Sequence, residues 1–135
     1  MVEIDVLYEG GLRARAVHLP SGSEIQTDAP KDNEGRGERF SPTDLVASAL
    51  GSCMLTIMDL AARKRGWSIV GAKVRVEKHM VADPHRRIGR IRLVFDMPGT
   101  FDDHAREILR RAALTCPVKE SLRPEVIVET EFRWE

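Results

Sequence analysis

One long apolar helix is the feature that most constrains how this chain can fold. The stretch from Ser41 to Gly66, SPTDLVASALGSCMLTIMDLAARKRG, carries helix signals at both ends. Ser41 and Asp44 match an S-x-x-D capping box, and a proline occupies the first helical position. Three basic residues and then Gly66 suit the negative carboxyl end of a helix. We therefore predict a single helix over residues 41–66.

The side chains of this helix predict that it is buried on most sides. Between Leu45 and Ala62 its polar residues form one narrow stripe, made of Ser48, Ser52, Thr56 and Asp59. At about 1.5 Å per residue, the segment from Pro42 to Arg65 would span about 36 Å, more than the width of a compact domain of this size. We expect the helix to project or to cross into a partner subunit. Its apolar run is too interrupted for a membrane span.

Length and charge limit the classes of function. The 135 residues are 42% hydrophobic, which suits one domain over residues 1–135 with a single core. The 21 basic and 21 acidic residues cancel, so no net field favours nucleic acid or an anionic membrane, and neither is expected as a partner. The first ten residues lack the apolar region of an export signal, and we expect a cytoplasmic protein.

Hydrophobic periodicity predicts an α+β fold with antiparallel sheet. Alternation predicts half-buried strands before the helix at residues 2–8 and 12–19, a short strand at 23–27, and strands after it at 69–80, 91–97 and 124–135. A second helix is expected to open at Thr100 through a T-x-x-D pattern and to carry Cys116 on its apolar side. Residues 28–40 form a charged, glycine-rich loop long enough to suggest a function.

The two cysteines, Cys53 and Cys116, are the residues most capable of chemistry. They lie 63 positions apart, and neither forms a metal-binding spacing with the four histidines, so we predict no metal and no cofactor. They are either inert core thiols or a redox pair. A thiol at position 116, before a proline at the start of a helical turn, would be favoured as a thiolate by free N–H groups.

Cys53 requires help to ionise because it lies on an apolar helix face, where burial disfavours a thiolate. Gly51, two positions away, suggests close approach of another backbone. The cations that could support a thiolate are the strand and loop arginines, Arg13, Arg15, Arg36 and Arg39.

The cysteine contexts SPTDLVASALGSCM and CPVKESL together resemble the OsmC/Ohr family of osmotically induced and organic hydroperoxide resistance proteins. The resemblance covers most of the chain and implies an intertwined homodimer with antiparallel sheets wrapped around long central helices. It implies that Cys53 is the peroxidatic thiolate and that Cys116 is the resolving thiol. The implied partners are a small organic hydroperoxide and an external dithiol reductant.

One position departs from the peroxidase branches of that family, which carry a glutamate ten residues before the first cysteine. Thr43 stands there in this chain, which is more similar to a generic OsmC-like branch. Asp44 is expected to be occupied as a cap, so Glu38 in the loop is the predicted substitute. Arg39 is the predicted supporting arginine in the site, with Arg13 and Arg36 as open alternatives. The alternative function is a non-enzymatic dimer, a redox sensor or a binder of an apolar ligand, whose cysteines pack the core.

Overall fold

The fold was analysed in a computed structural model that describes residues 1–135. Its contacts cluster into two compact units, Met1–Val46 and Ala47–Glu135. The first unit holds three strands and the loop that follows them. The second holds most of the long helix, three strands and two shorter helices. These elements confirm the predicted α+β class, while the prediction of one domain over residues 1–135 stays a prediction.

The first unit is a three-stranded antiparallel sheet in the order β1-β2-β3. Its strands are β1 (Ile4–Gly10), β2 (Arg13–His18) and β3 (Glu24–Asp28), close to the predicted ranges. Leu12, in the turn between β1 and β2, has a φ of 65°, and Gly10 and Gly11 also have positive φ. Such turns favour glycine because a side chain crowds the backbone at positive φ.

This sheet contains no apolar core of its own. Every buried hydrophobic residue of the chain belongs to the second unit. The β1 side chains of Ile4, Val6 and Tyr8 are 57%, 67% and 65% exposed. The prediction of a half-buried β1 is therefore wrong for the single chain. An isolated three-stranded sheet with this much exposed apolar surface needs a further surface to cover it.

The loop after β3 is tied back to the sheet by backbone hydrogen bonds. It contains one 3₁₀ turn, Lys31–Asn33, and returns so that Phe40 pairs in parallel with Thr27. The Asp28 N–H donates to the Phe40 carbonyl at 3.1 Å, and the Gly37 N–H donates to the Ala29 carbonyl at 3.1 Å. The loop is thus an ordered continuation of the sheet.

Helix α1 (Pro42–Arg63) begins where the sequence predicts. The Ser41 N–H donates to Asp44 Oδ2 at 2.9 Å, and the Asp44 N–H donates to Ser41 Oγ at 3.1 Å, which confirms the capping box. At the other end Gly66 has a φ of 72°, its N–H donates to the Arg63 carbonyl, and the Trp67 N–H donates to the Ala62 carbonyl. This pair of bonds is a Schellman motif, and it ends the helix three residues before the predicted limit.

The sheet of the second unit is mixed. It contains β4 (Lys73–Val81), β5 (Arg87–Met97) and β6 (Ile127–Trp134), with β5 in the centre. The β4–β5 hairpin is antiparallel as predicted, but β6 pairs with β5 in parallel. The expectation of a wholly antiparallel sheet is wrong at this strand. The segment between β5 and β6 contains helices, and a parallel pair requires such a crossover.

That crossover contains α2 (Asp103–Ala113) and α3 (Pro117–Ser121). The cap of α2 is Asp102, whose Oδ1 accepts from the Ala105 N–H at 2.8 Å, so the predicted opening at Thr100 is two residues early. Because α2 ends at Ala113, Cys116 does not belong to its apolar side. It instead caps α3.

One face of α1 forms the centre of the core of the second unit. Its buried residues there include Leu50, Met54 and Met58, which cluster with buried residues of β5 and α2. The outer face of α1 is open in the single chain, where Leu60 is 50% exposed and Val46 is 36% exposed. The predicted burial on most sides is therefore wrong for the chain alone.

The same helix is long and apolar enough to satisfy a length and hydropathy test for a membrane span. Core helices satisfy this test too. Helix α1 contributes a row of buried side chains to the core of the second unit, as a core helix does.

Gly51 marks a close approach of α1 to the sheet of the second unit. A Cβ at this position would lie 3.0 Å from Val76 Cγ2 and 3.2 Å from Val74 Cγ1. The prediction of close approach is confirmed, but the neighbours are valine side chains of β4 and not another backbone. Both distances are shorter than ordinary van der Waals contact.

We expect Gly51→Ala to lower the free energy of unfolding by about 1 kcal/mol, because overpacking costs about 1 to 3 kcal/mol and the gain in helix propensity returns only about 1 kcal/mol. Urea denaturation measures this change. The control is Ser52→Ala, an exposed neighbour on the same helix, which should be neutral or slightly stabilising. Gly51→Ala should lower the free energy of unfolding by less when Val76 is also replaced by alanine, because the new Cβ then has room. Equal stabilisation by both alanine substitutions would contradict the packing argument.

Candidate functional site: two thiols and a buried ion-pair cluster

Cys53 lies in the middle of α1 at the edge of its buried face. Its side chain is half-buried and packs against the core cluster of the second unit. The neighbouring Met54 is fully buried, whereas Ser52 is exposed. Cys53 is therefore anchored in the core and still partly accessible to solvent.

Cys116 is fully buried at the start of α3. Its backbone is extended, and its Sγ accepts a hydrogen bond from the Lys119 N–H at 3.3 Å. Pro117 follows at the first helical position, where its missing N–H costs nothing. The predicted placement of Cys116 as the cap of a short turn is confirmed.

Cys53 lies close enough to Cys116 to influence its pKa, and it packs against the core cluster that contains Cys116. Burial raises the pKa of the Cys116 thiol above its usual value, and the Cys53 side chain raises it further. The N–H groups of Lys119 and Val118 act in the opposite direction but do not overcome burial. The expectation that Cys116 is electrostatically favoured as a thiolate is therefore wrong.

This proximity makes the pair chemically asymmetric. Cys116 is held as a protonated thiol, and a neutral S–H can donate a hydrogen bond to a neighbouring sulfur. Cys53, being more accessible, is the thiol that an external reagent can reach. Both are free thiols in the structure.

A second cluster of charged side chains lies in the first unit. Arg13 on β2 and Asp28 on β3 are directly opposite in the strand register. Arg13 Nη2 lies 2.7 Å from Glu38 Oε1 and 3.4 Å from Asp28 Oδ2. One guanidinium therefore joins a strand carboxylate to a loop carboxylate. Because a guanidinium has five N–H donors, Arg13 can still serve another acceptor.

Asp28 is the buried member of this cluster, with no exposed surface. Its Oδ2 also accepts from the Glu38 N–H at 3.0 Å, while its Oδ1 is buried without a partner. The bond from the Glu38 N–H is the main cause of the lowered pKa of Asp28, and the Arg13 charge lowers it further against the opposing effect of burial. Asp28 is thus an ionised carboxylate inside the protein.

The structure separates the three candidate arginines. Arg13 makes the close contact with the Glu38 carboxylate, and Arg36 lies 3.9 Å from it. Arg39 donates to Gln26 Oε1 at 3.2 Å and to the Glu38 carbonyl at 3.4 Å, so the structure does not bring its guanidinium to the Glu38 carboxylate.

Asp28 was missed by the sequence reasoning, which treated it only as the start of the loop. Its role depends on the register that places it opposite Arg13. The one available signal was an acidic residue immediately after the predicted strand at 23–27, at the start of a glycine-rich loop.

Other polar groups do not form a competing site. No group of three or more His, Cys, Asp or Glu side chains is arranged to hold a metal ion. Two arginines of β5 are paired with glutamates of β6, since Arg90 contacts Glu129 at 3.3 Å and Arg92 contacts Glu131 at 2.8 Å. That face presents alternating charges and not a basic patch.

Comparison with known proteins identifies the family of the chain. The OsmC-like protein family model matches residues 35–131. A crystal structure from Psychrobacter arcticus 273-4, described as an osmotic stress induced and detoxification response protein, has 44% identity and a TM-score of 0.94, and the match covers 98% of this chain and 96% of that one. An organic hydroperoxide resistance protein OsmC from Legionella pneumophila has 17% identity and a TM-score of 0.79, with 98% and 96% covered.

An uncharacterized protein of Acinetobacter baylyi is 25% identical over 124 residues, which is 91% of this chain and 87% of that protein. The distant structures share the fold, and the family match includes the loop with Glu38, the whole of α1 and both cysteines. The chain therefore belongs to the OsmC-like protein family, as its two cysteine contexts predict.

Proposed function

We propose that this protein is a thiol peroxidase that reduces organic hydroperoxides through Cys53 and Cys116. The observation that carries the proposal is the proximity of a half-exposed thiol to a buried thiol that is held protonated. Inert core cysteines do not require such a pairing. Membership of a family that includes organic hydroperoxide resistance proteins supports a role in redox chemistry.

The first step of the proposed reaction is attack by the Cys53 thiolate on a peroxide oxygen. The O–O bond breaks, the sulfur is oxidised to a sulfenic acid, and the alcohol leaves after its oxygen takes up a proton. The accessible edge of Cys53 suits it to this role. The apolar neighbours of the thiol favour an alkyl hydroperoxide over hydrogen peroxide.

The second step is condensation of Cys116 with the sulfenic acid. The Cys116 sulfur attacks the Cys53 sulfur, a disulfide forms, and the hydroxyl leaves as water with the proton from Cys116. The proximity of the two side chains supports this assignment. An external dithiol then reduces the disulfide and is itself oxidised, so the cycle consumes one peroxide and one dithiol.

The resemblance to the OsmC/Ohr family implies an arginine and a carboxylate that support the thiolate, and we propose Arg13 and Glu38 for these roles. The sequence left three arginines open, and the 2.7 Å contact favours Arg13 as the residue that acts with Glu38. Thr43 stands at the position of the glutamate in the peroxidase branches, and Asp44 is occupied by the helix cap, which supports the choice of Glu38 as the acidic member. Removal of the Arg13 charge should therefore slow the reaction of Cys53.

The proposed active form is a homodimer. Proteins of the OsmC/Ohr family are generally dimeric. The first unit has no buried hydrophobic residue, and the outer face of α1 exposes Leu60. A second copy of the chain would cover such apolar surfaces, as expected for an obligate dimer.

Cysteine variants test the two roles. Cys53→Ser should abolish peroxide consumption, whereas Cys116→Ser should permit one turnover and then stall, because its sulfenic acid has no internal thiol to condense with. After one equivalent of cumene hydroperoxide, mass spectrometry should show a gain of one oxygen in Cys116→Ser and a loss of two hydrogens in the wild type. Gain of oxygen by Cys53→Ser would reverse the roles. Failure of the wild type to react would favour the non-enzymatic dimer.

Alkylation of the reduced protein tests the asymmetry without peroxide. At pH 8, iodoacetamide should modify Cys53 before Cys116, since burial and the raised pKa keep Cys116 as an inaccessible thiol. Modification of Cys116 should increase only as the pH rises above the usual range of a cysteine, about 8.5. Peptide mapping by mass spectrometry measures the order, and earlier labelling of Cys116 would contradict it.

Val6→Asp tests the dimer. Val6 is 67% exposed on β1 in the single chain. If a second copy of the chain covers this apolar face, a charge at position 6 should weaken the dimer. Sedimentation at micromolar protein should show a dimer for the wild type and an increased monomer fraction for the variant. Asp5→Asn, an exposed neighbour on the opposite face of β1, is the matched control. A folded wild-type monomer at this concentration would contradict the prediction.

A further inference from the structure

Helix α3 is held in place by few interactions, and the Cys116 sulfur supplies one of them. The helix has five residues, Pro117–Ser121, and none of them is buried. The Cys116 Sγ accepts from the Lys119 N–H at 3.3 Å, and the half-buried side chains of Val118 and Leu122 pack against the core cluster. Isolated helices of this length are unstable in water. The cap at Cys116 is therefore a substantial part of what keeps α3 folded.

Formation of a disulfide would require a sulfur to move. Both cysteines are free thiols in the structure, and a disulfide bond is shorter than any contact between two unbonded sulfur atoms. At least one of the two sulfurs must therefore leave its present position as the bond forms.

The two cysteines differ in how readily they can be displaced. Cys53 lies in the middle of α1, a helix of 22 residues, between the fully buried side chains of Leu50 and Met54. Cys116 lies in the short segment between α2 and α3, next to a helix that has no buried residue. Displacement of the Cys116 sulfur thus requires the smaller rearrangement.

Movement of the Cys116 sulfur toward Cys53 takes it away from the Lys119 N–H. Loss of a cap lowers the stability of a helix. Two further hydrogen bonds, from Ser121 Oγ to the Pro117 carbonyl at 2.8 Å and from the Leu122 N–H to the Lys119 carbonyl at 3.2 Å, join residues within the segment 117–122. These bonds do not attach α3 to another element, so they cannot replace the cap.

We propose that α3 is a redox-sensitive switch, capped and closed while Cys116 is a free thiol, and uncapped and open once the Cys53–Cys116 disulfide has formed. This proposal rests on the proposed function, which supplies the disulfide. The opening involves residues 117–122 and leaves α1 and the sheet of the second unit in place.

The open form would also allow the external dithiol to complete the cycle. A thiolate of the dithiol attacks one sulfur of the disulfide and expels the other, and its second thiol then displaces the remaining cysteine, so the dithiol is oxidised and both cysteines are reduced. While α3 is closed, Cys116 has no exposed surface, and attack on it is blocked. Attack on Cys53 would expel Cys116 as a thiolate, which burial disfavours because it raises the pKa of Cys116. Both routes are therefore faster from the open form.

Cleavage by endoproteinase Lys-C after Lys119 measures the opening, because proteolysis follows the population of the open segment. Lys119 lies at the centre of α3, and Lys64, an exposed residue beyond the end of α1, is the internal control. The protein is oxidised with diamide, which forms disulfides without a peroxide. We expect cleavage after Lys119 to be about tenfold faster in the oxidised wild type, with no change after Lys64.

Variants of the cysteines separate loss of the cap from oxidation. Cys116→Ala removes the cap without a disulfide, so its reduced form should be cleaved after Lys119 about as fast as the oxidised wild type. Cys116→Ser retains an oxygen cap and Cys53→Ser retains the sulfur cap, so both should be cleaved slowly even in diamide. Equal rates for Cys116→Ala and Cys116→Ser, or no acceleration in the oxidised wild type, would overturn the proposal. Acceleration after Lys64 in the oxidised wild type would mean general unfolding and would overturn it too.

Pro117→Gly tests whether the opening limits reduction. Pro117 is exposed and fixes the backbone at the first position of α3, so glycine should favour the open form. Dithiothreitol should reduce the disulfide of this variant about threefold faster than that of the wild type. Pro124→Gly, which changes an exposed proline outside α3, is the matched control and should leave the rate unchanged. An unchanged rate in Pro117→Gly would overturn the role of α3 in the cycle.

The choice of oxidant separates this proposal from the proposed peroxidase activity. Cumene hydroperoxide is tested in parallel with diamide on the wild type. Opening of α3 with both oxidants would support both proposals, and opening with diamide alone would support the switch and reject the peroxidase. A disulfide formed by cumene hydroperoxide without faster cleavage after Lys119 would reject the switch and support the peroxidase. Absence of a disulfide with either oxidant would reject both.

Discussion

The packing of the buried face of α1 against the sheet of the second unit is the constraint on which the thiol pair depends. Gly51 lets the helix approach Val74 and Val76 closely, and Leu50 and Met54 on the same helix are fully buried. Cys53 follows two positions later, so its depth is set by this contact. The position of Cys116 is fixed independently, by the cap of α3. Each of the two thiols is thus held by a regular element of the second unit.

Competition between burial and helix electrostatics decides whether the Cys116 thiol stays protonated. The first N–H groups of α3 favour a negative sulfur at Cys116, and sequence reasoning weighed that effect alone. In the structure the thiol is removed from water and faces a second sulfur, and the pKa rises in spite of the Lys119 N–H. A five-residue helix provides too small a field to offset complete desolvation. The deeper cysteine is thereby kept protonated, which suits a resolving thiol.

The sequence was sufficient for features that depend on local signals. The capping box at Ser41, the glycine end of α1 and the cap at Cys116 each depend on residues a few positions apart, and all three are present. The family resemblance similarly depended on short contexts around the cysteines. The features that the sequence did not predict depend on contacts with residues distant along the chain. They are the parallel pairing of β6, the burial of β1 and the pairing of Arg13 with Asp28. Alternation in a strand shows that it has two faces but not which surface covers the apolar one.

The ion-pair cluster illustrates why such a site is hard to predict and still informative once seen. Hydrophobic periodicity finds residues that contribute to a core, and Asp28 is buried where the chain has no such core. Its carboxylate takes two donors on one oxygen and leaves the other without a partner, an arrangement that sacrifices stability. Proteins tolerate such costs mainly where geometry must be kept for function. Backbone hydrogen bonds and one 3₁₀ turn order the loop after β3, and the buried carboxylate adds a tie between the loop backbone and a strand arginine that holds the charged pair in place.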